Sequence, residues 1–573
     1  MPVNSMSAAF PPQPGNPTDE DRRFLARFAL TQRGRPEDFE RIRDLTAPAP
    51  DITTIARPGE FKGLRAGVIG GGLAGLAAAF ELRKLGFDIT IFEALEDHIG
   101  GRIFTHYFNK EKTLYGELGA MRFPVSHETV WHYINLFGLN TMTFIQRSDN
   151  ALFYLRGARA NTDASGISAK IHIYPRYNLS LRERGMSWQD LIFYGYGRQL
   201  LYANADTRME ILQVKPWYNP YTLFWDSRSS RVMLEASGLS GDAINLLTSI
   251  NPLPGGFLYN SFLDYILEDY PANLTYLYEI IGGAVMLPLA FYKALTDEGP
   301  PGAYSAIARE CLGRVSWKGG CVVTGIGVSG EDHRATIAYT GKEASDPQRL
   351  EFDYVVCAVP FSSLRNVKIE PLFSPIKMQA IREVRYGNFL KAVLLFKRRF
   401  WEEGGASRRI IGGVSYTDLP ITSIIYPSDH AQTEPEPGPE TPGVLTLYSY
   451  NPDATRLGNL PADFQYEELL RETEKVHGYA EGFLDKYAAG FKTVSWDNQH
   501  WFRGGLCFFA PEQKRLFSYP MALPEYGGRI FFAGEHISAN HRWAQGALKS
   551  GMEAANGVAA ACRACQAHGK RLI

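Results

Sequence analysis

The 573-residue chain is poor in cysteine, with six in all, which excludes a disulfide framework. It has no surplus of either charge. Sixty Lys and Arg face sixty-one Asp and Glu, for a formal net charge of −1, so no electrostatic footprint points to nucleic acid or an anionic membrane. No apolar run approaches the roughly 18 residues of a membrane span. The strongest candidate is broken by Glu81, Arg83 and Lys84. The start, MPVNSMSAAFPPQPGNP, has no basic stretch ahead of an apolar core, so no secretory leader is expected and a reducing cytoplasm is the simplest home. Cys562 and Cys565 form a CxxC in an Ala-rich helical tail without a second pair; no metal site is expected there.

What is present is an ordinary globular composition, 45% hydrophobic and 21% charged, with enough apolar residues to build several cores. Residues 8–20 carry four prolines and read as a flexible arm. Residues 19–45 read as one or two charged amphipathic helices, expected as a cap or an oligomer contact. From 126 to 300 the patterns are mostly helical and rich in Tyr and Phe, with no sharp motif. Strands are expected within 321–359, at KAVLLF (391–396), at VLTLYSY (444–450) and at RIFFAGEH (529–536), stopping at Gly534, with a helix from about Trp543 to Ala561. Between them SDHAQTEPEPGPETPG (428–443) reads as a surface loop.

The clearest stretch is RAGVIGGGLAGLAAAFELRKLGFDITIFEA (65–94). A strand, a glycine loop, an Ala/Leu-rich helix and a second strand follow in order, with Gly70, Gly72 and Gly75 spaced G-x-G-x-x-G and Glu93 closing the second strand. The first glycine permits a tight turn, the second lets a pyrophosphate approach the backbone, and the third lets helix and strand pack closely. Phosphates would sit on the helix N-terminus, and Glu93 would accept hydrogen bonds from the adenosine ribose. Dinucleotide binding is therefore expected. Gly100, Gly101 and Arg102 follow as a second glycine turn, and FAGEH (532–536) precedes a distant helix. Several separate segments converging on one cofactor favour FAD over NAD.

GGGLAG (70–75), GGR (100–102), ELGAMRFP (117–124), FLKAVLLF (389–396), GGLCFFAP (504–511) and AGEHISANHRWAQGALKSG (533–551) together make the sequence resemble the flavin-dependent amine oxidases. More narrowly it is similar to L-amino acid oxidases of bacterial type, and amino acid 2-monooxygenases share the same segments. The resemblance implies an α/β fold with a Rossmann-like FAD domain interleaved with a mixed-sheet substrate domain and helical insertions. The expected division is an N-terminal arm and helices (1–60), an FAD domain (61–125, 301–365 and 495–565), a helical insertion (126–240) and a substrate domain (241–300 and 366–494). It implies oxidative deamination of L-amino acids by O2 to 2-oxo acids, ammonia and peroxide. Oxidative decarboxylation to an amide is the alternative; an amine or polyamine oxidase and a non-catalytic FAD-fold module are more remote ones. A homodimer or higher homo-oligomer is expected.

By resemblance, FAD contacts fall on Gly70, Gly72, Leu73, Ala74 and Gly75; on Glu93, Ala94, Gly101 and Arg102; and on Gly119, Ala120, Met121 and Arg122. Val323, Gly534, Glu535, Ala544, Gln545 and Ala547 complete that set. Arg122 is implied as the receptor of the substrate carboxylate, a role that suits a guanidinium in a dry pocket; a salt bridge to Glu117 is the alternative. Tyr448 is implied to share the carboxylate, with Tyr450 facing the same side. Lys391 is implied to act beside the flavin, holding a water at its N5; the alternative is a strand lysine reaching solvent. Trp543 is implied as an aromatic wall orienting the amine, against an alternative as a core tryptophan. Covalently flavinylated relatives carry a cysteine directly after the Gly-Gly pair that corresponds to Gly504–Gly505, whereas here Leu506 intervenes before Cys507. Non-covalent FAD is therefore expected. The aromatic content of 126–300 suggests large neutral or aromatic substrates. A basic substrate would need an acid such as Asp226 or Asp264 to face the pocket.

Overall fold

The computed structural model describes residues 11–251, 256–297, 302–330, 333–341, 347–433 and 437–567. A parallel sheet of five strands forms one centre. Its order is Val315–Lys318, Asp88–Phe92, Arg65–Ile69, Tyr354–Cys357 and Ile530–Phe532, so three widely separated parts of the chain build it. The central strands are buried on both faces, as expected for Val/Ile-rich parallel strands covered by helices. The helix Leu73–Lys84 covers one face and is buried almost all round. A Cβ at Gly75 would lie 2.0 Å from Gly70 O, and one at Gly551 would lie 2.3 Å from Ala74 O. These two glycines let Leu73–Lys84 touch both its own strand and the long C-terminal helix Ala544–Ala567.

A second sheet has seven strands, in the order Ala488–Ser495, Phe389–Phe396, Gly443–Tyr450, Ser423–Ile425, Val414–Thr417, Leu152–Leu155 and Ala158–Asn161. Its pairings are antiparallel except between Val414–Thr417 and Leu152–Leu155. The register sets Lys391 directly opposite Tyr448, and Tyr448 opposite Ser423. A four-stranded sheet built from Val322–Val328, Ala335–Thr340, Gln348–Phe352 and Lys368–Glu370 completes the larger layers.

Three expectations need correction. The proline-rich arm is tied down from Gln13 onward: Gln13 donates to Leu277 O at 2.7 Å, Asn16 accepts from Thr141 N at 2.7 Å, and Gly15 O accepts from Thr141 Oγ1 at 2.7 Å. Prolines forfeit donors, but the residues between them pair with a strand edge. The helices Asp19–Gln32 and Phe39–Thr46 are part of the core, with Leu25, Leu30, Phe39 and Ile42 buried in the cluster that includes Leu76, Ala77 and Phe80. The segment expected as helical insertion also carries the strands Thr141–Phe144, Leu152–Leu155 and Ala158–Asn161, between the helix Glu128–Leu136 and the short helices that start at Ile167. Residues 434–436 of the expected surface loop lie outside the described residues. No helix among the described residues is long and apolar enough to cross a membrane.

Candidate active site

A cavity of about 560 Å³ is bounded by both major sheets, a volume within the roughly 300–1,000 Å³ of ligand and cofactor sites. Its wall includes Gly70, Gly72, Leu73, Ala74, Glu93, Ala94, Gly101, Arg102, Gly119, Ala120, Met121, Arg122, Val323, Gly534, Glu535, Ala544 and Ala547, and also Lys391, Tyr448 and Trp543. Side chains separated by hundreds of residues thus meet at one space. Gly75 and Gln545 stand apart. Gly75 is spent on helix–strand contact. Gln545 is turned inward, accepting from Thr129 N (3.0 Å) and Val130 N (3.3 Å) and donating to Thr46 O (2.6 Å). It rivets the N-terminal helices to the core instead of facing a cofactor, answering Thr129 N and Val130 N and sharing Thr46 O with Thr129 Oγ1.

The glycine-loop end suits a dinucleotide. Gly72 caps the helix Leu73–Lys84 with no side chain, leaving the first N–H groups free of capping partners beside the cavity. A Cβ added at Gly72 would meet nothing nearer than Gly101 Cα at 3.8 Å, so it would fill open space in the cavity wall. Glu93 is buried and accepts from Gly71 N at 2.8 Å and Leu95 N at 3.0 Å. Two backbone donors leave lone pairs on the carboxylate for further hydroxyls. Glu535 accepts from Arg102 Nη1 (3.0 Å), Cys507 N (3.2 Å) and Arg542 N (2.9 Å). Burial alone would raise its pKa; Arg102, with His541 and His536, outweighs that and holds it lowered. The residues present fit an FAD.

Leu506 borders the cavity while Cys507 turns the other way, into the buried cluster of Phe509 and Ile537. The strand Leu506–Phe508 alternates its side chains, so adjacent residues face opposite sides. Cys321 does reach the wall, but its N–H donates to Glu93 O at 2.9 Å, which ties it to the glycine-loop end.

At the other end stands Arg122. Its guanidinium lies 5.3 Å from the Phe144 ring centroid, borders the cavity, and has no ion pair among the described residues. Glu117, the competing partner, is engaged elsewhere: it accepts from Thr105 Oγ1 (3.1 and 3.0 Å) and Ala284 N (2.6 Å). Its charge bears on Lys391 instead. Burial pushes the Glu117 carboxyl up and the Lys391 ammonium down, and each is drawn partly back by the other. Lys391 Nζ donates to Gly119 O at 2.6 Å and lies 4.4 Å from the Tyr448 ring centroid. Lys391 is buried and does not snorkel.

Tyr448 and Tyr450 both line the cavity, their rings stacked with centroids 5.3 Å apart and planes 7° from parallel. Burial pushes the Tyr448 phenol up to about 12, with Arg122 pulling the other way. It stays neutral and able to donate. Trp543 borders the same cavity. Its Nε1 donates to both carboxylate oxygens of Glu268, at 3.0 and 2.8 Å, and its ring meets His127 edge-on at 4.9 Å. Arg542 sits just before it with φ +73° and is held by Asp264 (Nη1, 2.8 Å) and Glu268 (Nε, 3.0 Å).

Sequence reasoning missed Glu268, Gln146, Tyr416, Leu274, Val414 and Ile425, all in the cavity wall. None belongs to a motif, and three of them, Val414, Tyr416 and Ile425, come from strands whose facing depends on register. Of the acids considered for basic substrates, Asp264 is held by His541 and Arg542, and Asp226 by Ser261 and the N–H groups of Lys514 and Arg515. Neither lines the cavity. Glu268, a turn beyond Asp264, does, but it is paired with Arg542.

The parallel sheet, the glycine loop and this cavity define a dinucleotide-dependent oxidoreductase. The sequence profile of the family described as flavin containing amine oxidoreductase matches residues 73–559. The chain belongs to that family, and its cofactor is FAD. An L-amino-acid oxidase of Sistrurus catenatus edwardsii is 26% identical over 529 residues, 91% of each chain. One of Vipera ammodytes ammodytes is 28% identical over 496 residues, 86% of this chain and 92% of that one. YobN of Bacillus subtilis (strain 168) is 29% identical over 496 residues, 85% and 93% of the two chains. Among solved structures, putrescine oxidase superposes with a TM-score of 0.65 at 18% identity, covering 86% of this chain and 98% of that one. Cyclohexylamine oxidase from Brevibacterium oxydans IH-35A gives 0.62 at 18%, with 87% and 98% covered. These likenesses agree with the amine oxidase-like α/β fold.

Proposed function

We propose that the protein is an L-amino acid oxidase that converts neutral, large L-amino acids to 2-oxo acids: L-amino acid + O2 + H2O → 2-oxo acid + NH3 + H2O2. One observation carries this reading. The acids of the cavity wall are each engaged, Glu535 with Arg102, Glu268 with Arg542 and Trp543, and Glu93 with backbone N–H groups. Arg122 is a cation without an ion pair among the described residues. A partly desolvated guanidinium calls for an anion, and a bidentate carboxylate is its natural complement. An amine substrate without a carboxylate would leave that charge unanswered. The relatives named as L-amino-acid oxidases support the same reading.

In this reading Arg122 grips the carboxylate and the Tyr448 hydroxyl, with Tyr450 stacked behind it, donates to the same group. Trp543 and the tyrosines form a cage that orients the α-amino group and excludes water. Lys391 Nζ, kept in a dry setting where its charge is costly, is a proton carrier able to hold a water beside the reacting face. FAD, held non-covalently, supplies a two-electron acceptor for the hydride leaving Cα. The site offers a basic side chain no free acid, which supports neutral substrates.

The test is a panel of L-amino acids and their decarboxylated amines, assayed in parallel for peroxide, 2-oxo acid and amide. Peroxide and 2-oxo acid from neutral amino acids are expected. Turnover confined to the amines, or amide with CO2 as the main product, would overturn the proposal.

A further inference from the structure

His127, on the same short segment as Arg122, is the N-cap residue of the helix Glu128–Leu136, yet its side chain makes no capping hydrogen bond. N-caps are ordinarily Ser, Thr, Asp or Asn, whose short side chains take the N–H groups two and three residues on. Here Gln545 Oε1 takes them instead, from Thr129 (3.0 Å) and Val130 (3.3 Å). The His127 side chain is thereby left for another partner. It is completely buried, and neither ring nitrogen has a hydrogen-bond partner among the described residues. Asn273 lies close by, but its oxygen accepts from Ser126 Oγ (3.1 Å) and its NH2 group donates to Glu268 Oε2 (3.3 Å). What the imidazole does meet is Trp543. The ring centroids are 4.9 Å apart, with the planes at 83°.

Burial lowers the His127 pKa to about 3, with Asn273 pulling the other way, so the ring is neutral and carries a single N–H. A buried N–H without an acceptor costs free energy, and the face of an aromatic ring is a weak acceptor for it. In a perpendicular pair the edge of one ring rests on the face of the other. The indole N–H edge is already turned to Glu268, at 3.0 and 2.8 Å, which leaves the indole face for the imidazole. Resting on the reading of Trp543 as a wall of the substrate cage, we propose that His127 is a positioning residue: its N–H rests on the Trp543 face and fixes the tilt of the indole. A hydrogen bond at Nε1 alone leaves the ring free to turn about that bond; a contact on its face does not. Trp543 and Gln545 are two residues apart, so the two segments complete each other. Gln545 caps Glu128–Leu136, and His127 braces Trp543. Arg122 and this brace share one stretch of chain, which keeps the carboxylate grip and the wall in a fixed relation.

The experiment is a double-mutant cycle on the holoenzyme, with kcat and KM measured on the best neutral L-amino acid substrate. His127→Leu keeps an apolar side chain of similar size and removes the N–H. It should lower kcat by about tenfold or more, as for a misplaced cage, with KM changed by less than about threefold. In a Trp543→Leu background the same change should cost no more than about twofold, because the ring it braces is gone. His127→Gln restores a side-chain N–H and should recover a large part of the loss. His127→Phe, an edge without an N–H, serves where His127→Leu does not fold, and its loss should vanish in the Trp543→Leu background in the same way. An equal loss in both backgrounds, or an unchanged kcat in the folded variant, overturns the inference and leaves the oxidase reading intact. Trp543→Leu as active as the wild type removes the wall, and the inference with it. Turnover of amines alone overturns the oxidase reading, and the same cycle on the amine then decides the inference.

Discussion

The indole Nε1 of Trp543 is bound by both oxygens of the Glu268 carboxylate, at 3.0 and 2.8 Å, and the same carboxylate holds Arg542 at 3.0 Å. Trp543 is therefore a wall whose angle is set from behind, by an acid on a different segment. Glu268→Ala removes that hold and leaves Arg542 with Asp264 alone. A kcat loss of about 10- to 100-fold is expected, as for a misplaced cage. Glu268→Gln keeps an acceptor for the indole and should recover a large part of it. Steady-state kinetics with near-UV circular dichroism of the tryptophan band check this; equal loss in both variants with an unchanged spectrum would contradict it.

Arg122→Ala should lower kcat/KM on amino acids by about 2–5 kcal/mol, the range for truncating one partner of a buried charge pair. Arg122→Lys keeps the charge and loses the fork, so it should recover only part. The loss should be small for amines of matching side chain. An amino acid KM unchanged in Arg122→Ala would remove the carboxylate-receptor role.

His477 provides a pH dependence away from the site. It is half-buried, held between Thr473 O (Nδ1, 2.8 Å) and Tyr426 Oη (Nε2, 2.8 Å), and burial lowers its pKa to about 4. Below about pH 6.5 the unfolded chain takes a proton that the folded protein refuses. The stabilisation is therefore present above pH 6.5 and lost as pH falls towards 4. The span is about 3 kcal/mol. Chemical denaturation at pH 7 and pH 4 should show the stability gap between the wild type and His477→Phe narrowing by about that amount. A gap that stays constant would mean that the His477 pKa is the same in the folded and the unfolded chain.

FAD should be released by acid precipitation, because Leu506 takes the wall position and Cys507 packs away from it. Yellow supernatant is the expected result. Flavin that stays with the pellet would show a covalent link and contradict this expectation.

Local patterns already carried the dinucleotide-binding half. Strand, glycine loop, helix and Glu93 lie within thirty residues of one another, so each is specified by neighbours in the chain. Gly75 was legible as a packing glycine for the same reason. Gln545 was not. It sits in the expected helix among cofactor residues, yet a helix advances about 100° per residue, and only the packing of Thr46 and Thr129 decides which way it turns.

The substrate end depended on tertiary structure. The sequence by itself determined that Arg122 is set among small and apolar residues and that Lys391 lies within an apolar strand. It left open whether Glu117 would neutralise Arg122. The fold decided that by drawing Glu117 to Thr105 and Ala284, beside Lys391. It also brought Glu268, Gln146 and Tyr416 to the same cavity from segments without a motif. The physical reason is reach. Propensity, turn chemistry and glycine geometry act over a few residues, whereas the charge balance and shape of a pocket depend on which distant side chains the sheet register and helix packing turn inward.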